Sequence, residues 1–167
     1  MKKILASVLA ALLVLTMMVP VLAEGITMGQ VVFAAHGTKC FAVITVAMDG
    51  DKIAAALIEE FQPMDPATCT VVPNAEAIFG AQEKLLASKR LNSESYSANM
   101  SKAGSTVALI DNYAALEAFA AGKTIAELEA EVIGKEATAV VDAVAGCTLV
   151  DAQGYLTGII EAAKAAK

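Results

Sequence analysis

The sequence has little of what catalytic and metal-binding sites are usually built from. It contains no tryptophan, one histidine (His36) and three cysteines, and only 18% of its 167 residues are charged. No two cysteines have a CxxC spacing, and a lone histidine cannot complete a zinc or copper site without carboxylates. A two-histidine mechanism is excluded, and no nucleophile elbow accompanies His36 to indicate a Ser-His-Asp triad. The residues therefore favour neither a structural zinc site nor a hydrolase, and we expect no metal.

Hydrophobic residues, 57% of the chain, are concentrated at its N-terminus. The basic start MKK precedes an apolar run that Pro20 interrupts. This break makes the run too short for a membrane-spanning helix, and the small residues Val21 and Ala23 suit signal peptidase. We expect residues 1–23 to be a signal peptide cut after Ala23, and the mature chain to be secreted or extracytoplasmic without membrane insertion.

The expected mature chain is acidic. Loss of Lys2 and Lys3 leaves ten basic and eighteen acidic residues, a net charge of −8. Such a surface repels nucleic acid, so we expect no nucleic-acid partner. Residues 24–167 suffice for one domain. Outside the cytosol an odd number of cysteines leaves at least one thiol unpaired, and a disulfide between Cys40 and Cys69 is an open possibility.

The first part of the mature chain has the pattern of an antiparallel sheet. Turn residues separate three β-rich runs, and Asp49-Gly50 is a strong hairpin signal. Both alternating faces of the middle run are apolar, so we expect the sheet to be covered on both sides. The third run is rich in alanine, and a helix is its alternative. The predicted strands are Gln30–Ala35, Cys40–Met48 and Lys52–Phe61.

The rest of the chain is predicted to be mostly helical. Pro63, Pro66 and Pro73 indicate a loop after the third strand. The residues between Ser88 and Thr106 are polar and predict a surface or ligand-facing loop. The predicted helices are Ala75–Ala87 with Asn74 as N-cap, Ala108–Ala121 before Gly122, and Ile125–Val132, which begins with a Thr124/Glu127 capping box.

The C-terminal segment predicts a strand, a glycine turn and a helix. Thr138–Val144 is rich in β-branched residues, Gly146 allows a tight turn, and apolar residues recur at helical spacing in Ala152–Ala166. This arrangement directs backbone N–H groups at an anion. The predicted fold is α+β: an antiparallel sheet packed with helices, in which the C-terminal helix follows the strand and its glycine turn.

One motif in this segment resembles that of a known family. The residues from Asp142 to Thr148 read DAVAGCT, and a hairpin reading DGDKI lies earlier in the chain. Together they resemble the FMN-binding domain family, which includes flavin-carrying domains of sodium-pumping and Rnf-type oxidoreductases and secreted electron-transfer proteins. In flavinylated members the final threonine of the motif takes flavin mononucleotide (FMN) through a phosphoester bond that a separate transferase makes.

The resemblance implies a cofactor site. It assigns Thr148 to the flavinylated position and puts Asp142, Gly146 and Cys147 in the same motif. Because Ala145 and Cys147 depart from the usual motif residues, noncovalent FMN stays open beside the covalent bond. Tyr96 is our candidate to stack on the flavin, since aromatic faces suit such a ring. Alternatives remain for two of these residues: Thr148 as the N-cap of the last helix, and Cys147 as a small buried residue.

The sequence therefore predicts an extracytoplasmic FMN-binding protein that carries electrons and lacks a substrate of its own. Its partners would be the flavin and, as one option, a redox protein in the membrane. The alternative is a secreted binding or surface-interaction module that keeps the fold but holds no cofactor.

Overall fold

The structure is a computed structural model that describes residues 25–70, 72 and 83–167. The expected signal peptide and the predicted Asn74 cap lie outside these residues. The strands are β1 (Thr27–Phe33), β2 (Phe41–Asp49), β3 (Lys52–Met64) and β4 (Leu85–Ser88). The helices are α1 (Ser93–Lys102), α2 (Leu109–Ala120), α3 (Ile125–Val132), α4 (Ala137–Ala143) and α5 (Ala152–Lys164).

The four strands form one antiparallel sheet in the order β1-β2-β3-β4. This confirms the α+β class and the three-stranded meander, and it shows that the third run is a strand. Asp49 pairs with Lys52, so the two loop residues are Gly50 and Asp51, one position later than predicted. Gly50 has a φ of 59°, which glycine adopts without the penalty that a side chain would bring.

Helices cover one face of the sheet. On this face of β2, Ala42, Ile44, Val46 and Met48 are buried, whereas the residues that alternate with them are partly exposed. The expectation of two covered faces is therefore wrong for the described residues, in which α2 and α5 pack on the same side. Apolar side chains on the outer face pack across strands instead, as where Phe41 stacks on Phe61 with ring centroids 5.5 Å apart.

Glycines let α5 lie unusually close to the sheet. A Cβ atom on Gly154 would lie 2.2 Å from the carbonyl oxygen of Ala35, and one on Gly29 would lie 1.9 Å from that of Ala162. Gly158 comes similarly close to the side chain of Ile44, where a Cβ would lie 2.3 Å from Cδ1. The three glycines thus set the position of α5, and with it the turn that precedes α5.

The predicted C-terminal strand is wrong. Thr138–Val144 lies almost wholly in α4, and only Val140 of that helix is buried. The β-branched run is short and pairs with no strand in the described part of the chain, so its backbone hydrogen bonds form within a helix. The element before the glycine turn is therefore a helix, although α5 follows the turn as predicted.

The middle of the chain differs from the sequence predictions at three places. The expected polar loop after Ser88 contains helix α1. The predicted helix Ala75–Ala87 lies mostly outside the described residues, and its last three residues belong to β4. Strand β3 also continues through Pro63, where only β4 is its partner. A proline is tolerated there because its missing N–H is not needed on the open side.

Helices α2 and α3 lie where the sequence places them. Gly122 follows α2 with a φ of 80°, and both hydrogen bonds of the Thr124/Glu127 capping box are present. Helix α5 has Asp151, not Thr148, as its N-cap. In the described part of the chain, no helix has the length and apolar character needed to cross a membrane.

Candidate functional site

A cavity of about 450 Å³ lies where α1, the loop before α2 and the turn before α5 meet. Its volume is within the range of small-molecule sites. Hydroxyl groups of Ser105, Thr106 and Thr148 and apolar side chains of Met100 and Leu109 share its lining. The cavity can therefore hold a ligand that has both a polar group and an apolar body.

Two of the residues predicted from the sequence line this cavity. Tyr96 comes from α1 and Thr148 from the turn before α5. The Tyr96 hydroxyl donates to Oε1 of Gln62 on β3 over 3.4 Å, which orients the ring. Thr148 is exposed, and its side chain is accessible from the cavity. The fold thus brings together an aromatic ring and a hydroxyl from distant parts of the sequence.

Asn112 holds the turn that carries Thr148. Its buried Oδ1 accepts the backbone N–H of Thr148 at 2.7 Å and the Thr148 hydroxyl at 3.4 Å. Its Nδ2 donates to the carbonyl oxygens of Val107 and Ala108, at 3.1 and 3.0 Å. Asn112 therefore ties the two loops of the cavity wall together. The alternative role of Thr148 as the N-cap of the last helix is wrong, because Asp151 takes that position.

The other three motif residues lie outside the cavity lining. Asp142 is exposed on α4, and Gly146 is exposed in the turn with a φ of 84°. Cys147 is buried in the core, where its N–H donates to the carbonyl oxygen of Val144 at 3.0 Å. Burial raises the pKa of the Cys147 thiol, so this group is held in its neutral form.

A fully buried ion pair lies behind the cavity. Lys89, just after β4, and Glu60, on the inner face of β3, are both 0% exposed, and Nζ lies 2.6 Å from Oε2. The same oxygen accepts hydrogen bonds from the hydroxyls of Tyr113, at 2.8 Å, and Tyr155, at 2.6 Å. The other oxygen, Oε1, is buried without a hydrogen-bond partner among the described residues.

These contacts fix the protonation states of the cluster. Burial alone would raise the pKa of Glu60, but hydrogen bonds from Lys89 and the two tyrosines outweigh it, and the pKa lies below its usual value. Burial, followed by the nearby negative charge, raises the pKa of Tyr113. Burial and the neighbouring Tyr113 raise that of Tyr155. Glu60 is therefore an anion that two neutral tyrosines and one lysine stabilise.

His36 connects this ion pair to the cavity. Its Nδ1 lies 3.1 Å from Nζ of Lys89, and its Nε2 lies 3.6 Å from Oδ2 of Asp151. Because an ammonium group only donates, Nδ1 accepts and the ring proton is on Nε2, facing the carboxylate. Lys89 also lies 4.7 Å from the centre of the Tyr96 ring, a cation–π contact. His36, Asp151 and Tyr155 all line the cavity.

Cys40 is the remaining member of the cluster. Its Sγ donates to the carbonyl oxygen of His36 at 2.7 Å, and candidate ligand atoms of His36, Cys40 and Glu60 lie within 4.8 Å of one another. Burial and the charge of Glu60 raise the thiol pKa to about 11. Cys40, Cys69 and Cys147 are all free, so the structure contains no Cys40–Cys69 disulfide.

Sequence reasoning missed this cluster, although signals for it were present. Glu60 lies two positions after the buried Ile58, where strand alternation predicts another inward-facing residue, and Lys89 directly follows β4. A charged residue at an inward position needs a partner. The pattern does not identify that partner, because β3 and β4 are neighbours only in the folded sheet.

Comparison with known proteins identifies no relative of this chain: no family model, curated protein or solved structure matches it.

Proposed function

We propose that this protein binds FMN in the cavity between α1 and α5 and acts as an extracytoplasmic electron carrier. One observation carries the proposal: Tyr96 and Thr148, each predicted to contact a flavin for an independent reason, line the same cavity. Flavin redox chemistry belongs to the cofactor, and the protein contributes binding and orientation.

The cavity lining fits the two ends of FMN. The Thr106 hydroxyl can donate to a phosphate, and so can that of Thr148 once it leaves Asn112, while Tyr96, Met100 and Leu109 offer an aromatic and apolar surface to a ring. Asp151 is an unfavourable neighbour for a phosphate because it adds a carboxylate to the wall. Nε2 of His36 faces this carboxylate at 3.6 Å.

Covalent attachment would use the Thr148 hydroxyl. Ala145 and Cys147 depart from the motif that a flavin transferase reads, so the bond depends on a transferase that accepts them. Noncovalent FMN needs only the cavity. The two modes differ in one observable, which is whether the flavin remains on the chain after denaturation.

The experiment is purification from the native host, followed by absorption spectroscopy and a denaturing gel viewed by flavin fluorescence. We expect yellow protein, and Thr148→Val should abolish any flavin that survives the gel while keeping the side-chain shape. In the same variant, the binding free energy of noncovalent FMN should weaken by about 1 kcal/mol, the typical effect of one lost hydrogen bond. Thr157→Val is the matched control, because the Thr157 hydroxyl donates to the carbonyl oxygen of Gln153 within α5.

A second candidate function is a secreted binding module that has the fold but no flavin. The position of Asp142, Gly146 and Cys147 outside the cavity lining favours it. Colourless protein that also fails to take up added FMN would support this candidate and contradict the first.

A further inference from the structure

The strongest unassigned feature of the described residues is the cluster of His36, Cys40 and Glu60. It combines an imidazole, a thiol and a carboxylate from two neighbouring segments, with candidate ligand atoms within 4.8 Å of one another. His36 and Cys40 come from the connection between β1 and β2, four residues apart, and Glu60 comes from β3. These are the three ligand types that zinc accepts in proteins.

The carboxylate supplies a second, independent observation. Glu60 is 0% exposed, and its Oε1 has no hydrogen-bond partner in the described part of the chain, while Oε2 accepts three. A buried anionic oxygen without a donor costs free energy unless a cation or donor reaches it. A metal ion between Oε1 and the Cys40 sulfur would satisfy this atom.

The surroundings of His36 match those of a metal ligand. Nδ1 lies 3.1 Å from Nζ of Lys89, the partner of Glu60, and Nε2 faces Asp151 at 3.6 Å. Metal-binding histidines commonly donate their other ring N–H to a carboxylate, which orients the ring and makes it a better ligand. The side chain of His36 is 41% exposed, so an ion can reach the cluster from solvent.

We propose that His36 Nδ1, Cys40 Sγ and Glu60 Oε1 bind a divalent metal ion of the zinc class. A fourth position is open to solvent water or a ligand, as in three-residue zinc sites. This proposal is independent of flavin binding, and neither the spacing of the cysteines nor the single histidine indicated it. The carboxylate ligand is Glu60 on β3, which the sequence analysis did not single out.

Binding requires two changes in the cluster. The Cys40 thiol releases its proton to solvent as the sulfur–metal bond forms, and no electrons are transferred. Lys89 gives up its contact with Nδ1 of His36 and keeps its ion pair with Oε2 of Glu60. The charges then balance, because two positive charges of the metal and one of Lys89 face the anions of Cys40, Glu60 and Asp151.

The test is titration of the purified protein with Co²⁺ under a reductant that does not bind metals. Tetrahedral Co²⁺ absorbs in the visible, and a thiolate ligand adds a charge-transfer band in the near ultraviolet. We expect one Co²⁺ per chain with both features, displaced by one Zn²⁺, and a fall in apparent affinity at lower pH as the thiol keeps its proton.

Variants identify the ligands. Cys40→Ser should remove the charge-transfer band, and His36→Gln should remove tight binding, whereas Cys69→Ser, a half-buried thiol outside the cluster, should change neither. Asp151→Asn should weaken Zn²⁺ binding by about 10-fold to 100-fold without removing the thiolate band. Circular dichroism checks that each variant folds. Both ligand variants leave Glu60 unchanged, because its loss would leave Lys89 buried without its partner.

Several results would overturn the proposal. Absence of Co²⁺ or Zn²⁺ binding at equimolar concentration would mean that Lys89 is the only cation of this cluster. A thiolate band that persists in Cys40→Ser, or that disappears in Cys69→Ser, would assign the metal to another thiol. FMN binding is measured separately by flavin absorbance, so failure of either proposal leaves the other intact.

Discussion

At the scale of single residues, Glu60 has the largest influence on its surroundings. It is an anion on the helix-facing side of a sheet whose other inward positions on β2 and β3 are mostly apolar. Three polar side chains from other segments bind its Oε2 atom: Lys89, Tyr113 and Tyr155. One carboxylate therefore links β3, β4, α2 and α5.

Removal of one member of the ion pair should be far more harmful than removal of both. Lys89→Met leaves a buried carboxylate without its cation, and we expect it to lower the free energy of unfolding by about 3 to 5 kcal/mol. Glu60→Gln combined with Lys89→Met removes both charges and should lower the free energy of unfolding by less than either single change does. Urea unfolding followed by circular dichroism measures all three. A Lys89→Met protein as stable as the wild type would contradict the burial of this pair.

The same carboxylate predicts how stability depends on pH. Its pKa in the folded protein lies below the usual 4.5, so its contribution is fully present above pH 4.5 and is lost as the pH falls through the folded value. Unfolding free energy should therefore fall on acidification below that point. The fall should be smaller in the Glu60→Gln/Lys89→Met variant. If the wild type and this double variant lost the same free energy of unfolding in acid, the loss would come from other carboxylates.

At the scale of elements, the contact of α5 with the sheet depends on the absence of side chains. Gly154 and Gly158 are one helical turn apart, and each faces atoms that a Cβ would overlap. The contact positions the first turn of α5 and therefore Asp151 and Thr148 at the cavity. The cavity therefore depends on the close packing of α5 against the sheet, as the fold does.

Gly154→Ala tests this contact because two effects predict opposite signs. Helix propensity alone would make the alanine variant more stable by about 1 kcal/mol. Overlap with the Ala35 carbonyl, 2.2 Å from the new Cβ, should instead lower stability by about 1 to 3 kcal/mol. Thermal unfolding gives the sign. A higher melting temperature would show that α5 shifts easily and that the close approach is unimportant.

At the scale of the whole molecule, the described helices lie on one face of the sheet, and the cavity lies where several of its connections meet. The cavity contacts α1, α5 and the connection between β1 and β2. A ligand there would be accessible to another protein, which suits an electron carrier. Export through the predicted signal peptide is part of the proposed function.

Export should leave a defined N-terminus. Cleavage after Ala23 gives a chain that begins at Glu24, and mass spectrometry of protein recovered outside the cell should measure residues 24–167. Val21→Arg places a large charged residue where signal peptidase requires a small one, so it should block cleavage. Recovered protein that begins at Met1 would contradict the secretory prediction.

The sequence by itself determined the elements whose signals are local. The capping box at Thr124, the glycine after α2 and the Gly50 hairpin each depend on residues within four positions of one another, and each occurs in the structure. The α+β class follows from them. Alternation did not identify the buried face of β2, because both of its faces are apolar, and the packing of the helices decided that Ala42, Ile44, Val46 and Met48 lie on it.

Only the tertiary structure decided what depends on distant neighbours. Nearly all of Thr138–Val144 is helical because no strand of the described residues lies beside it, and Leu85–Ser88 is a strand because β3 lies beside it. Tyr96 and Thr148 were predictable as separate candidates, but their common cavity results from the packing of α1 near the start of α5. Glu60 and Lys89 are 29 positions apart, and only sheet pairing brings their charges together, because side-chain contacts across strands carry no local sequence pattern.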